Sequence, residues 1–327
     1  MRQTALLSRP VPSGRVTRIR RWTKRITLLL LELFVVLTAA SLVYNAATDS
    51  RVKPATELYS GSFVRVDGKL VAYTRWGRTG SPIVLLGGFV EPTQVWQAVG
   101  EQLATNHRVF ALDLPPFGYS QRKGPYTLRG WVALVRDFEQ QLGLRRPVVV
   151  GHSLGAAVAV GDALSHPDET RGIVLLDGDA IAARGAPSWL PRLLVGPWFT
   201  SLYRIATGSD WIFRRALRGA YGPHHPPLTH TALVSWERPF RVEGTLDAFR
   251  AMARYVIQGF HLADLHRVRV RALVVWGAHD TVDSVSAGRA SARALGVPFR
   301  VLPGAGHLSM LGSPADLARV LGDFAAG

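Results

Sequence analysis

The chain of 327 residues contains no cysteine. Disulfide frameworks, thiolate metal sites and cysteine nucleophiles are thereby excluded, while the redox compartment stays open, since a chain without thiols suits an oxidising exterior and a reducing cytosol alike. Acidic residues are scarce too: 23 Asp and Glu face 39 Lys and Arg, a net charge of +16. The scarcity is uneven. No acid precedes residue 26, where eight basic residues stand (Arg2, Arg9, Arg15, Arg18, Arg20, Arg21, Lys24, Arg25), so half of the excess belongs to one short tail. The rest is dispersed, which argues against a nucleic-acid partner. There is also no internal repeat, no low-complexity tract and no H-E-x-x-H. His224, His225 and His230 lack paired carboxylates nearby in sequence, so neither a metal nor a cofactor is expected.

Charge nearly vanishes after the tail. Residues 26–44, "ITLLLLELFVVLTAASLVY", carry Glu32 alone. At about 1.5 Å per residue a helix of this length covers roughly 28 Å, the hydrocarbon thickness of a bilayer. The pattern predicts a single transmembrane anchor with the basic residues 1–25 held in the cytoplasm and the rest of the chain outside it. The alternative is a cleaved secretory signal of twin-arginine type, suggested by "IRRWTKR". The apolar run exceeds the roughly 7–15 residues of a signal core and no A-x-A site follows, which favours the anchor. Glu32 lies near the cytoplasmic end, where Lys24 or Arg25 can reach it.

Residues 45–60 are short, polar and broken by Pro54, and read as a linker. From residue 61 an alternating pattern turns at Asp67-Gly68, a hairpin signal. Then come continuous apolar runs: "PIVLLGG" (82–88), "RVFALDLP" (108–115), "PVVVGHS" (147–153), "GIVLLDG" (172–178) and "RALVVWG" (271–277). Strands buried on both faces read this way, and helical patterns separate them, so the expectation is an α/β fold with a doubly wound, mostly parallel sheet. About ninety residues stand between the last two runs, rich in Trp, Arg and Pro (Trp189, Trp198, Trp211, Trp236). A crossover needs only a dozen or so. Residues 180–265 are therefore read as an inserted helical lid whose aromatics form mostly a small core of their own, dividing the core domain into 61–179 and 266–327.

"VVVGHSLGAAVAV" (148–160) breaks an apolar run with a His and a Ser between glycines. Val148, Val149 and Val150 suit a buried strand, the residues from Leu154 a helix, and "GHSLG" the sharp turn between them. Such a G-x-S-x-G elbow presents the Ser153 hydroxyl at the carboxyl end of the sheet, where the N–H groups and positive dipole end of the following helix favour an oxyanion. A hydroxyl needs a base, and the base an orienting group. Asp280 follows a strand in "VVWGAHDTVDSV" and His307 lies on a Gly-rich loop in "VLPGAGHLSM", in the chain order Ser, Asp, His. His152 reads as a packing residue and His279 as an exposed turn residue.

Over residues 61–327 the chain resembles the α/β-hydrolase-fold proteins of the lidded esterase, lipase and haloperoxidase-like kind, on "GHSLG", "GAHD", "GAGH" and "DLPPFGYS". The last is similar to a D-x-P-G-x-G-x-S turn, with Pro116 in place of the first Gly. The resemblance implies Ser153 as nucleophile, His307 as general base and Asp280 as orienting acid. It also permits the acid to follow the sixth strand, at Asp177 or Asp179. The oxyanion donors it implies are the N–H groups of Leu154 and Phe89. In "LLGGFVEP", Gly87 replaces the usual His. The expected activity is hydrolysis of an ester with an apolar acyl part. Peptidase, C–C hydrolase and cofactor-free haloperoxidase chemistry use the same triad, and a noncatalytic binding protein is the alternative of another class. An Asp nucleophile, as in epoxide hydrolases and haloalkane dehalogenases, is disfavoured by Ser153. Ten Arg against five acids between residues 180 and 265 suggest a lid that rests on anionic lipid.

Overall fold

The computed structural model describes residues 13–182, 196–252 and 259–327. Tail residues 1–12, with Arg2 and Arg9, and lid residues 183–195, with Trp189, and 253–258 lie outside them. Asp67 and Gly68 take φ of 45° and 69°, so this pair closes the hairpin between β1 (Ser62–Val66) and β2 (Lys69–Trp76), as the Asp-Gly signal predicts. Both join a sheet with β3 (Ser81–Leu86), β4 (His107–Leu112), β5 (Val148–His152), β6 (Gly172–Leu176), β7 (Arg271–Gly277) and β8 (Phe299–Leu302). The order is β1-β2-β4-β3-β5-β6-β7-β8, antiparallel as far as β4 and parallel beyond.

Every apolar residue of β3, β5 and β6 is buried, because each of these central strands is covered on both faces. One face packs α3 (Leu128–Gln141), α4 (Leu154–Ser165) and α9 (Val285–Leu295), through Trp131, Val135, Phe138, Ala159 and Ala292. The other packs α2 (Gln97–Leu103) and α10 (Pro314–Ala326), through Val99, Leu103, Leu317 and Leu321. The chain passes from the left half of the sheet to the right between β4 and β5. The turn after β5 therefore opens at the carboxyl edge near the point where strand order reverses, the usual ligand position in such sheets.

The lid lies between β6 and β7. Among the described residues its α-helices are α5 (Gly196–Thr207), α6 (Asp210–Ala220), α7 (His230–Glu237) and α8 (Thr245–Met252). Leu217, Tyr221, Leu233 and Trp236 join the core of the sheet, whereas Tyr203, Phe213, Phe240 and Phe249 pack on one another within the lid.

α1 (Ser13–Thr48) is one continuous helix, and with the 3-10 turn that follows it the stretch Arg20–Arg51 is long and apolar enough to cross a membrane. Leu29, Val36 and Val43 are exposed along it. The segment read as a linker from residue 45 is folded onto the domain. Asn45 Nδ2 donates to Pro197 O at 2.9 Å, Glu243 N donates to Lys53 O at 2.9 Å, and Tyr59 stacks on Tyr119 with ring centroids 4.6 Å apart. Composition suggested a tether; Leu58, Tyr59 and the unpaired amides find partners on the domain surface instead.

Candidate active site

Ser153 caps α4 with φ 50° and ψ −119°, a conformation that costs of order 1–3 kcal/mol for a residue with a side chain. Small neighbours make it possible. A Cβ on Gly151 would fall 2.1 Å from Gly155 O, and one on Gly178 2.4 Å from Ser153 O, so strand, elbow and helix close up only with hydrogen at these positions. Ser153 N donates to Leu176 O at 2.9 Å, which ties the elbow to the neighbouring strand.

His307 lies on the loop after β8. Its Nδ1 is 2.9 Å from Asp280 Oδ2, and both side chains are almost wholly buried. Asp280 follows β7, and its Oδ1 accepts from Val282 N (2.8 Å) and Asp283 N (3.0 Å), so the carboxylate is fixed in one orientation. With Nδ1 turned to Asp280, the imidazole has Nε2 left for a proton acceptor's role. Asp177 and Asp179 are engaged elsewhere. Asp177 Oδ1 accepts from Gly277 N at 2.6 Å, and burial pushes this carboxyl up to about 7. Asp179 Oδ1 accepts from Ile181 N at 2.9 Å. The partner of the His307 ring is Asp280.

The N–H groups of Phe89 and Leu154 donate to no acceptor among the described residues. Preorganised free donors are what a developing oxyanion requires. Their loops are adjacent, since a Cβ on Gly88 would stand 2.8 Å from Ser153 Cβ. Phe89 is 46% exposed, and its ring packs on Phe117 (5.2 Å) and Phe249 (6.0 Å), giving the site an apolar wall drawn from core and lid.

Two residues of the site escaped the sequence reading. Glu91 and His152, buried side by side, are separated by 2.8 Å between Oε2 and Nδ1. Glu91 Oε2 also accepts from Gly88 N at 2.7 Å, while His152 Nε2 stands 2.7 Å from His307 O. A carbonyl oxygen only accepts, so His152 carries its proton on Nε2 there. Burial opposes a charge on His152, but Glu91, Asp177 and the His307 carbonyl outweigh it and push the imidazole up to about 9. Burial likewise raises the Glu91 carboxyl, yet His152 and the Gly88 amide outweigh that and hold it below the usual glutamate value. His152, expected only to pack, therefore forms a polar link between the loop of Phe89 and the loop of His307. A Cβ on Gly87 would stand 3.2 Å from Glu91 Cβ, and the Glu91 carboxylate ties this loop by accepting from Gly88 N.

The "DLPPFGYS" turn supports the wall. Asp113 accepts from Thr93 N and Tyr119 N, each at 2.7 Å, and burial pushes its carboxyl up to about 7. Gly118 is at φ 53° with the Asp113 carboxylate where a Cβ would be. Arg122 donates to the carbonyls of Phe117, Gly118, Ser120 and Pro239 and to Thr245 Oγ1, which fastens this turn to the lid. His279 is exposed. Among the described residues no cluster of three or more His, Asp or Glu is placed to hold a metal ion.

These features define an α/β hydrolase. The sequence profile of the alpha/beta hydrolase fold matches residues 81–314, and the chain belongs to that family. It is 26% identical over 231 residues to an uncharacterised hydrolase, YugF, of Bacillus subtilis (strain 168), covering 68% of this chain and 82% of that one. It is likewise 26% identical to a fluoroacetate dehalogenase of a Burkholderia species, covering 76% and 88%. Among solved structures it shares its fold with a membrane phospholipase A (TM-score 0.65, 24% identity, 94% of this chain and 98% of that one). The enol-lactonase of Burkholderia xenovorans LB400 is similar too, with a TM-score of 0.65 and 21% identity over 81% of this chain and 100% of that one.

Proposed function

We propose that the protein is a membrane-anchored serine hydrolase acting on a carboxylic ester with an apolar acyl group. The observation that carries this reading is the 2.9 Å bond between His307 Nδ1 and Asp280 Oδ2 at the edge of the sheet where the strained Ser153 elbow opens. Ser153 Oγ attacks the carbonyl carbon as His307 Nε2 takes its proton, and the N–H groups of Phe89 and Leu154 hold the oxyanion. His307 returns the proton to the leaving alcohol. Water then repeats the sequence on the acyl-enzyme and frees the acid. The rings of Phe89, Phe117 and Phe249 favour an apolar acyl chain.

The bonds from Asn45, Thr48 and Asp49 to α5 support a retained anchor over a cleaved signal, because cleavage would strip α5 of these partners. The basic residues before the span support a cytoplasmic amino terminus, with the domain on the other side. Activity is tested by fluorophosphonate labelling of the protein and its Ser153→Ala variant. Labelling of the first alone is expected; equal labelling of both, or of neither, refutes the triad. Tags at each end and protease access on intact cells test the topology, and a protected carboxyl terminus refutes the orientation.

A further inference from the structure

Where α1 ends its apolar run, it meets the lid around a cavity of about 230 Å³. Arg51, Arg204, Arg241 and Arg250 line it, against Asp49 and Asp247. Two of these arginines are held by those acids: Arg204 Nη2 is 2.8 Å from Asp49 Oδ1, and Arg250 Nη1 2.9 Å from Asp247 Oδ1. Arg241 pairs with Glu237 at the longer distance of 3.6 Å, and Arg51 pairs with no acid among the described residues. Four arginines line the cavity against two carboxylates, an excess of positive charge that suits the multiply accepting oxygens of a phosphate.

The position says where such a phosphate would come from. On the reading of α1 as an anchor, Thr48 to Arg51 mark the level at which the bilayer's hydrocarbon gives way to head groups. Trp198, Leu202 and Ile205 recur at helical spacing on α5 and are exposed, and Trp198 packs edge-on against Phe34 of the anchor at 4.7 Å. Trp211 on α6 is 73% exposed. An apolar stripe continuous with a membrane span, beside an arginine cavity, is the arrangement of an interfacial helix.

Phe240 and Thr245 also line a separate small pocket of about 10 Å³ whose other walls include Val90, Phe117 and Phe249. Phe89 packs on the last two. The arginine cavity and the oxyanion donor Phe89 thus stand at two ends of one aromatic wall.

We propose that the arginine cavity binds the head-group phosphate of an anionic bilayer phospholipid and so seats the lid against the membrane surface beside the anchor. This goes beyond the hydrolase reading and rests on that of α1 as an anchor.

The test is lipid retention by the full-length Ser153→Ala protein in detergent, read by native mass spectrometry with phosphatidylglycerol, phosphatidylcholine or inorganic phosphate added. Phosphatidylglycerol is expected to be retained about tenfold better than phosphatidylcholine, and this preference to fall to near unity when Arg51→Gln and Arg241→Gln are added. The pair Arg51→Lys and Arg241→Lys keeps the charge but not the fork, and is expected to lose part of the preference even if the Gln pair fails to fold. Equal retention of the two lipids, or a preference untouched by both pairs, overturns the proposal. Displacement of the lipid by millimolar inorganic phosphate would make free phosphate the ligand and overturn the lipid assignment. Because retention needs no turnover, failure of fluorophosphonate labelling would refute the hydrolase while a retained, arginine-dependent lipid would leave the site standing.

Discussion

Glu91 and His152 meet at 2.8 Å in the buried floor of the site, and through them the Gly88 amide and the His307 carbonyl are held in one chain of hydrogen bonds. A charged pair in such a place is costly to leave half made. Replacing Glu91 by Gln keeps the shape but removes the carboxylate opposite His152. The expected result is a fall in fluorophosphonate labelling rate of about tenfold or more, with the Gly88 loop less well held. A labelling rate equal to that of the unaltered protein would show that the pair does not position the site.

The pair also imposes a pH dependence on stability. The His152 value is raised from 6.5 to about 9, so its contribution is full below pH 6.5, shrinks above it and is gone by about 9. Glu91 is lowered from 4.5, so its contribution is present above 4.5 and is lost as pH falls through the depressed value. The melting-temperature difference between the protein and His152→Gln is therefore expected to be widest between about pH 4.5 and 6.5 and to close by about pH 9. A difference constant from pH 5 to 9.5 would refute the ion pair.

Gly88→Ala tests the closeness of the oxyanion loop. Its methyl group would lie 2.8 Å from Ser153 Cβ and 3.2 Å from Glu91 Oε1, so the loop must move and carry the Phe89 amide away. Loss of one oxyanion donor typically costs about a hundredfold or more in kcat. Ester hydrolysis reduced less than threefold would remove Phe89 from the oxyanion role.

Asp280→Asn replaces the acceptor of the His307 Nδ1 proton by a group that can present N–H instead. A fall in kcat of about 10⁴-fold is expected with the fold retained, since the imidazole is left in the wrong tautomer. Activity that survives in Asp280→Asn but disappears in Asp177→Asn would transfer the orienting role to Asp177.

Arg122 holds the wall from beneath. Its five donors reach four carbonyls and Thr245 Oγ1 across the core–lid seam. Arg122→Ala leaves those acceptors buried and unmatched, and a loss of about 3 kcal/mol in denaturant unfolding is expected. Lys offers a point charge in place of the fork, so Arg122→Lys is expected to recover little of it.

Most of the architecture was legible because it is written locally. Each central strand is an unbroken apolar run, Asp67-Gly68 carries its own turn, and Ser153, Asp280 and His307 each sit in a short glycine-bearing segment whose local geometry points at the sheet edge. The Glu91–His152 bond spans 61 positions and is announced by neither residue alone. His152 sits in an apolar strand and so looks like packing. Glu91 could have been suspected only from an acid close behind the expected oxyanion donor. The lid's Trp236 looked like part of a separate core for the same reason, since nothing in a helix's own pattern says which surface will receive it.

Sequence alone determined the alternation of strand and helix, the order of the candidate nucleophile, acid and base, and an amino-terminal helix long enough to span a bilayer, because these depend on side-chain periodicity, glycine steric freedom and apolar length over a few consecutive residues. Tertiary structure decided which carboxylate faces His307, which side chain ties the loop of Gly87 and Gly88, and that arginines from three separate segments share one cavity beside the helix end. Those outcomes depend on distances between segments far apart in the chain, which strand order and loop closure set and no local pattern encodes.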